Sequence, residues 1–323
     1  MIFYRVIAYY SPIIYSLSII KQREITLFMF KKWFAGKTNK EIGVYLTDKQ
    51  ISICQVKDSH PILLAKKKLN SEKQWSEIFV ELVNEHQLQG AQVSVVLGRE
   101  HYQTFNIEKP KVHDSELLAT LPFSIKDLVS ESVFDLVVDY YDMPFQQRKG
   151  EQITAICVPK KRILAIRDMV LQSGLQLNRI ITEELALTAL LGIHDEANIL
   201  LSQHNNELIL TVAKEGQLYF THHLRGFNEL LALPLAEVES ALIEGLSLEL
   251  QRALDYISSQ LRINGIGTLY LAVVCPDINL LAEKLGDYLS RNVKSYCVSE
   301  NENAQFDCLS IIAYGGLIGE HNS

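Results

Sequence analysis

None of the five cysteines, Cys54, Cys157, Cys275, Cys297 and Cys308, stands in a C-x-x-C pair, and no histidine cluster lies beside them. A spaced zinc-ligand set and a disulfide framework are therefore not expected. Scattered cysteines among Val, Ile and Leu suit small buried hydrophobes in a reducing compartment. Positive charge is scarce as well. Against 38 Asp and Glu there are 31 Lys and Arg, a net charge of -7. A nucleic-acid binder needs a basic face to neutralise phosphates, so no nucleic-acid partner is expected. The apolar stretch "VIAYYSPIIYSLSII", Val6 to Ile20, is 15 residues long and is interrupted by Pro12. A spanning helix needs about 20 residues, and no small-residue cleavage site follows, so a signal peptide fits poorly.

Hydrophobic residues make up 48% of the 323-residue chain and charged residues 21%. That composition supports a large core and argues against disorder. The length allows about two domains of ~150 residues each. Residues 1–40 read as an N-terminal extension with three open readings: a short membrane anchor, a disordered tail, or a non-native upstream start. The third is favoured, because "MFKKWFAGK" from Met29 reads like a natural beginning. Lys21 to Lys40 holds six basic residues and one acid, which would keep the rest of a spanning chain cytoplasmic. Phe30, Trp33 and Phe34 interleave with Lys31, Lys32 and Lys37, a pattern able to touch an anionic membrane surface; a solvated, frayed terminus is the competing reading.

After Lys40 the pattern is regular. "EIGVYLTDKQISICQVK" reads as strand, tight turn, strand, and Pro61–Leu69 as a third strand. Trp75, Ile78, Phe79, Leu82 and Val83 follow helical spacing, and "QVSVVLG" is a short apolar strand. A helix from Ser115, strands at Phe134–Tyr141 and "EQITAICVP", and a helix closed by Gly174 follow. At Ala197 the opening pattern returns: "NILLSQHNNELILTVAKEG", "QLYFTHHL", a long helix marked by Leu242, Leu246, Leu250, Leu254, Ile257 and Leu261, then "GTLYLAVVC" and a last helix. The order β-β-β-α-β occurs twice. The fold class expected is therefore α/β, duplicated, with a first lobe over 41–192, an insertion at about 113–178, and a second lobe over 193–323.

Three strings carry a family resemblance. "LPFSIKDLVSESVFDLVVDYYDMP" (Leu121 to Pro144), "MVLQSGLQLNRIITEELALTALL" (Met169 to Leu191) and "SLELQRALDYISSQ" (Ser247 to Gln260, with Glu249 and Arg252) resemble, in that order, stretches of the PilM-like family of the actin-like ATPase (ribonuclease H-like) fold, and within it the branch serving MSHA-type pili. The resemblance covers 41 to 320. It implies an inserted small α+β subdomain in the first half, an ancestral nucleotide site, and the work of a pilus-assembly scaffold.

A phosphate site of this fold needs glycines that let two hairpins approach the phosphates, carboxylates for Mg²⁺, and a Gly-Gly turn at the adenosine. In the first hairpin Gly43 is present, but Tyr45 falls in the acid column and Thr47 in the glycine column. Asp48 suits an exposed turn residue. In the second hairpin Leu200 or Leu201 replaces the acid and Ser202 the glycine. The adenosine turn reads "AVVCPDIN", without glycine. The site is read as eroded, so the protein is expected to be a pseudo-ATPase with no catalytic residues, no metal and no required cofactor; ATP with Mg²⁺ is disfavoured.

Other residues draw blander readings. His222 and His223, adjacent on a strand, face opposite sides and do not chelate together. Glu183 and Glu184 follow Thr182 at a helix start, which favours capping and dipole roles. Asp135, Asp139 and Asp142 read as a solvated face. "YGGLIG" (Tyr314 to Gly319) fits close helix packing or the remnant of a nucleotide edge. No nucleophile–His–acid set is recognisable.

The function expected is a scaffold, cytoplasmic and peripheral to the inner membrane, that binds the cytoplasmic N-terminus of a PilN-like single-span protein as an extended peptide. The expected groove lies between the first-half core and the inserted subdomain, with walls near Val93–Leu97 and Phe134–Tyr141. A pilus assembly ATPase is a second expected partner. The alternatives are an active ATPase of the same fold and the cytoplasmic part of a type II secretion platform; the second is weakened because the chain stops at Ser323 without the C-terminal span of such proteins.

Overall fold

The computed structural model describes residues 40–57, 60–144, 150–204, 207–297 and 310–318. The readings of the N-terminal extension, apart from Lys40, lie outside the described residues. No helix of the described residues is long and apolar enough to cross a membrane.

The first half runs β1 (Glu41–Leu46), β2 (Gln50–Lys57), β3 (His60–Lys68), α1 (Trp75–Glu85), β4 (Gln92–Leu97), β5 (Gln103–Glu108), α2 (Asp114–Ser124), β6 (Leu136–Asp142), β7 (Gln152–Pro159), α3 (Lys160–Gln172), β8 (Gln176–Thr182) and α4 (Glu183–Leu190). The second runs β9 (Ala197–His204), β10 (Glu207–Lys214), β11 (Gln217–Leu224), α5 (Asn228–Ala232), α6 (Ser240–Ser259), β12 (Ile266–Ala272), α7 (Ile278–Leu289), β13 (Val293–Ser295) and α8 (Ile311–Ile318).

Two five-stranded sheets repeat one plan: β3-β2-β1-β4-β8 and β11-β10-β9-β12-β13. In each, the first three strands are antiparallel and the remaining pairings are parallel. The expected duplication is thus present in strand order and sense. Central β4 lies between β1 and β8 and its apolar run is buried, as for a strand covered on both faces. Val93–Leu97 consequently offers no wall to a peptide, against the expectation.

The inserted unit is a three-stranded sheet, β5-β7-β6. It spans 103–159 rather than the expected 113–178. β5 precedes residue 113, and α3 sends Ile163, Ile166, Met169 and Val170 into the core of the first lobe. One face of the inserted sheet packs with α2 through Leu117, Leu121, Leu136, Val138, Ile153 and Ala155. The other sends Val137, Ile156 and Val158 into the first-lobe core. Asp139 on that face is buried and its Oδ1 accepts the Tyr140 N–H at 2.8 Å, so the expected solvated row of aspartates is broken there.

A third core lies between the lobes. Tyr45, Cys54, Val96, Ile181, Ala186, Leu187, Leu200, Ile209, Ala272, Ile312 and Ala313 meet in it. Helix α8, from the far end of the chain, docks on the first sheet. A Cβ at Gly43 would stand 1.8 Å from the Ala313 carbonyl oxygen, and one at Gly315 would stand 2.3 Å from that of Ala186. Arg179, buried on β8, donates from Nη2 to the carbonyls of Gly316 (2.5 Å) and Leu317 (3.2 Å) and from Nε to Ser94 Oγ (3.3 Å). A cation on the last carbonyls of a helix complements its dipole and satisfies acceptors that have no partner within the helix.

Candidate functional site

The five positions read as an eroded phosphate site meet different fates. Gly43 sits mid-strand, opposite Cys54, and is needed for the approach of α8. Thr47 serves its own turn: its hydroxyl accepts from Gln50 N (2.9 Å) and Lys49 N (3.2 Å) and donates to Gln50 O (3.1 Å). Ser202 pairs across its hairpin with Ile209, whose carbonyl accepts its hydroxyl at 3.4 Å. Only Tyr45 and Leu200 come together, both fully buried in the core between the lobes.

A polar network closes over that core. Parallel strands β1, β4 and β8 end at Leu46, Leu97 and Thr182. The carboxyl edge of such strands is where α/β folds place ligands. Here the edge is occupied by the chain's own side chains. His204, at the end of β9 in the other lobe, lies 2.9 Å by Nδ1 from Glu183 Oε1 and 3.5 Å by Nε2 from Glu100 Oε2. The Tyr45 hydroxyl is 2.9 Å from the same Nδ1. Glu183 accepts from Arg99 N at 3.2 Å, and Glu100 from Asp48 N at 2.8 Å. Glu183 is 1% exposed.

These contacts determine the charges. Burial alone would discharge His204, but hydrogen bonds to Glu100 and Glu183 outweigh it and push its pKa up to about 10. Burial likewise opposes ionisation of Glu100, yet the bonds from His204 and from the backbone N–H groups of Glu100 and Asp48 hold it at about 2. Burial, with the charges of Glu183 and Glu100, raises the Tyr45 phenol well above its ordinary value. The result is an imidazolium held between Glu100 and Glu183, with a neutral tyrosine beside it.

Beside this lies a second layer. Arg99 approaches Glu184 (3.4 Å), donates to the Tyr102 carbonyl (2.9 Å) and to Thr104 Oγ1 (3.2 Å), and packs over the Tyr102 ring. Tyr102 donates its hydroxyl to Glu184, whose pKa is raised mainly by burial. His101, stacked edge-on against Trp75, takes Arg162 Nη1 on its Nδ1 at 2.5 Å; burial lowers its pKa.

Glu183 and Glu184 are in the first turn of α4, as expected, but the Thr182 side chain makes no cap and both carboxylates turn into the interface. His204, Tyr102, Arg99 and Glu100 carried no mark in the sequence, because their partners are distant in the chain. His222 and His223 separate as expected: His222 stacks on Phe220, and His223 pairs with Glu207 at 3.1 Å. Asp277, in the turn where the resemblance placed an adenosine site, accepts Leu235 N at 2.9 Å, a structural duty. Among the described residues, no group of three His, Cys, Asp or Glu side chains is placed to hold a metal ion.

No protein-family model and no curated protein matches the sequence. Solved structures do. The PilM–PilN type IV pilus biogenesis complex aligns with a TM-score of 0.64 at 16% identity, over 88% of this chain and 98% of that one. The cytoplasmic domain of EpsL, an inner-membrane component of the type II secretion system of Vibrio cholerae, gives 0.48 at 13%, over 86% and 95%. A Bacteroides thetaiotaomicron protein of actin-like ATPase fold and unknown function gives 0.48 at 12%, over 86% and 97%. At such identities the likeness is one of fold. The doubled sheet plan and this alignment lead to one conclusion: the chain has the actin-like ATPase fold, an α/β architecture of mixed sheets and helices.

Proposed function

We propose that this protein is a scaffold of type IV pilus biogenesis, of the MSHA type, which binds the cytoplasmic N-terminal segment of a PilN-like single-span inner-membrane protein and turns over no nucleotide. The observation that carries the second half is the Tyr45–His204–Glu183 contact. Tyr45, on the first hairpin, meets His204 from the end of β9, and Tyr45 and Leu200 are buried together in one core. A triphosphate entering there would have to displace a fully buried phenol and separate His204 from both carboxylates. It would also meet Glu100, Glu183 and Glu184, three carboxyl groups, with no glycine turn to receive it. The fold likeness to PilM of the PilM–PilN complex supports the partner class. On this reading the protein acts peripherally at the cytoplasmic face of the inner membrane, joining partner and assembly ATPase by binding.

Two titrations of the full chain test it. A labelled peptide of the first dozen residues of the single-span partner should bind saturably, while Mg-ATP should leave the melting temperature unchanged. A ligand that binds only the folded state must raise that temperature as its concentration rises. A concentration-dependent rise with phosphate release would establish the active-ATPase reading instead.

A further inference from the structure

A cleft of about 450 Å³ separates the inserted unit from the second lobe. Its floor is one face of the β5-β7-β6 sheet. Thr104 and Asn106, Gln152 and Thr154, and Tyr141 and Met143 line it. The members of each pair are two residues apart, so they share a face, and the register sets Asn106, Thr154 and Tyr141 side by side. The same face carries Val137, Ile156 and Val158, which are buried in the first-lobe core. The face is thus split: its apolar end is covered, and its hydroxyl- and amide-bearing end is open.

The opposite wall differs in kind. Four consecutive residues of β11, Leu218 to Thr221, reach the cleft. Neighbouring strand residues point to opposite faces. The pairing with β10 skips Tyr219, a bulge, but both faces are still represented among the four. Residues of both faces meet one cavity only where it runs along the strand's edge. β11 is the outermost strand of its sheet, and on its open side its backbone has no partner among the described residues. Phe220 and Tyr256, with ring centroids 4.9 Å apart, close one end. No Lys, Arg, His, Asp or Glu lines the cleft.

We infer that this cleft is a strand-addition site that takes a short, uncharged, extended peptide along the free edge of β11. Four edge residues offer about 13 Å of unpaired backbone at ~3.3 Å per residue, a template for main-chain pairing. The side-chain hydroxyls and amides of the floor meet the other edge of the incoming strand, and the aromatic rings receive its side chains. A charged residue entering here would lose its hydration with no opposite charge to meet it. The volume lies within the ~300–1,000 Å³ range of binding pockets. The inference is independent of the pilus reading and of the Tyr45–His204 contact.

The test selects a phage library of random octapeptides lacking Asp, Glu, Lys and Arg on the full chain. Enriched peptides are then titrated by fluorescence anisotropy against the full chain and against Asn106→Arg and Tyr256→Arg, both at solvent-accessible positions. Saturable binding is expected. It should weaken by about tenfold or more in each variant, and equally when alternate peptide nitrogens are methylated, since each lost hydrogen bond is worth about that factor. Hydrogen exchange on the unaltered protein, which needs no variant, should slow at the β11 amides when peptide is bound. Failure of any peptide to enrich, binding to both variants as tight as to the unaltered protein, indifference to N-methylation, or binding without protection of β11 would each overturn the inference.

Discussion

His204 Nδ1, at the end of β9, lies 2.9 Å from Glu183 Oε1 at the start of α4, and that pair joins the two lobes of the protein. Because Glu183 is buried, the pair is a clamp whose halves depend on each other. Removing one charge leaves the other in a dry interface, a loss of about 3–5 kcal/mol in such settings. His204→Ala should therefore lower unfolding stability in urea by about 3 kcal/mol. The double variant with Glu183→Gln should lose less than the sum of the two single losses. Additive losses would mean that the two side chains do not act together.

The same clamp makes stability depend on pH at both ends. The folded-state pKa of His204, about 10, is raised above its ordinary 6.5. Its contribution is full below pH 6.5 and disappears as pH rises through 10. That of Glu100, about 2, is depressed below 4.5. Its contribution is full above pH 4.5 and is lost as pH falls through 2. Chemical denaturation across pH should show the wild type losing its advantage over His204→Gln between about pH 6.5 and 10. A constant difference over that range would refute the charge assignment.

Gly43 distinguishes a packing role from a phosphate role. A methyl group there would stand 1.8 Å from the Ala313 carbonyl oxygen, so either α8 or β1 must move. Overpacking of this kind costs about 1–3 kcal/mol, occasionally more. Gly43→Ala should destabilise the chain by about 3 kcal/mol without any nucleotide present. Native stability in that variant would remove the packing explanation.

Arg179 holds the other end of α8 through the carbonyls of Gly316 and Leu317. Arg179→Met should cost about 2 kcal/mol, since hydrogen bonds to charged groups are worth ~1.5–3 kcal/mol. Hydrogen exchange should accelerate in residues 311–318 before it does in the second sheet. Uniform acceleration across both sheets would show that Arg179 supports the whole core and not this helix.

Much of the architecture was legible locally. Alternation in "EIGVYLTDKQISICQVK" and its return after Ala197 announced two hairpins, and the helical spacing from Trp75 announced α1, because strand and helix periods are written in near neighbours. The end of α3 at Gly174, with φ of +72°, was legible for the same reason. The limits of the inserted unit were not. β5 and α3 look alike whether they pack on the insert or on the first lobe, and only the pairing of β5 with β7 and the burial of Ile166 and Val170 decide it.

The sequence by itself determined that Tyr45, Thr47, Leu200 and Ser202, none of them a glycine or an acid, stand in the two hairpins, and that two like halves follow one another. Only the tertiary structure decided what meets Tyr45 between the lobes. Tyr45 and His204 are 159 residues apart, and Glu183 looked like a helix-start residue until β9 brought an imidazole to it. Periodicity is a property of adjacent residues. A buried charge pair exists only when the folded chain brings distant partners together and excludes the water that would otherwise solvate them.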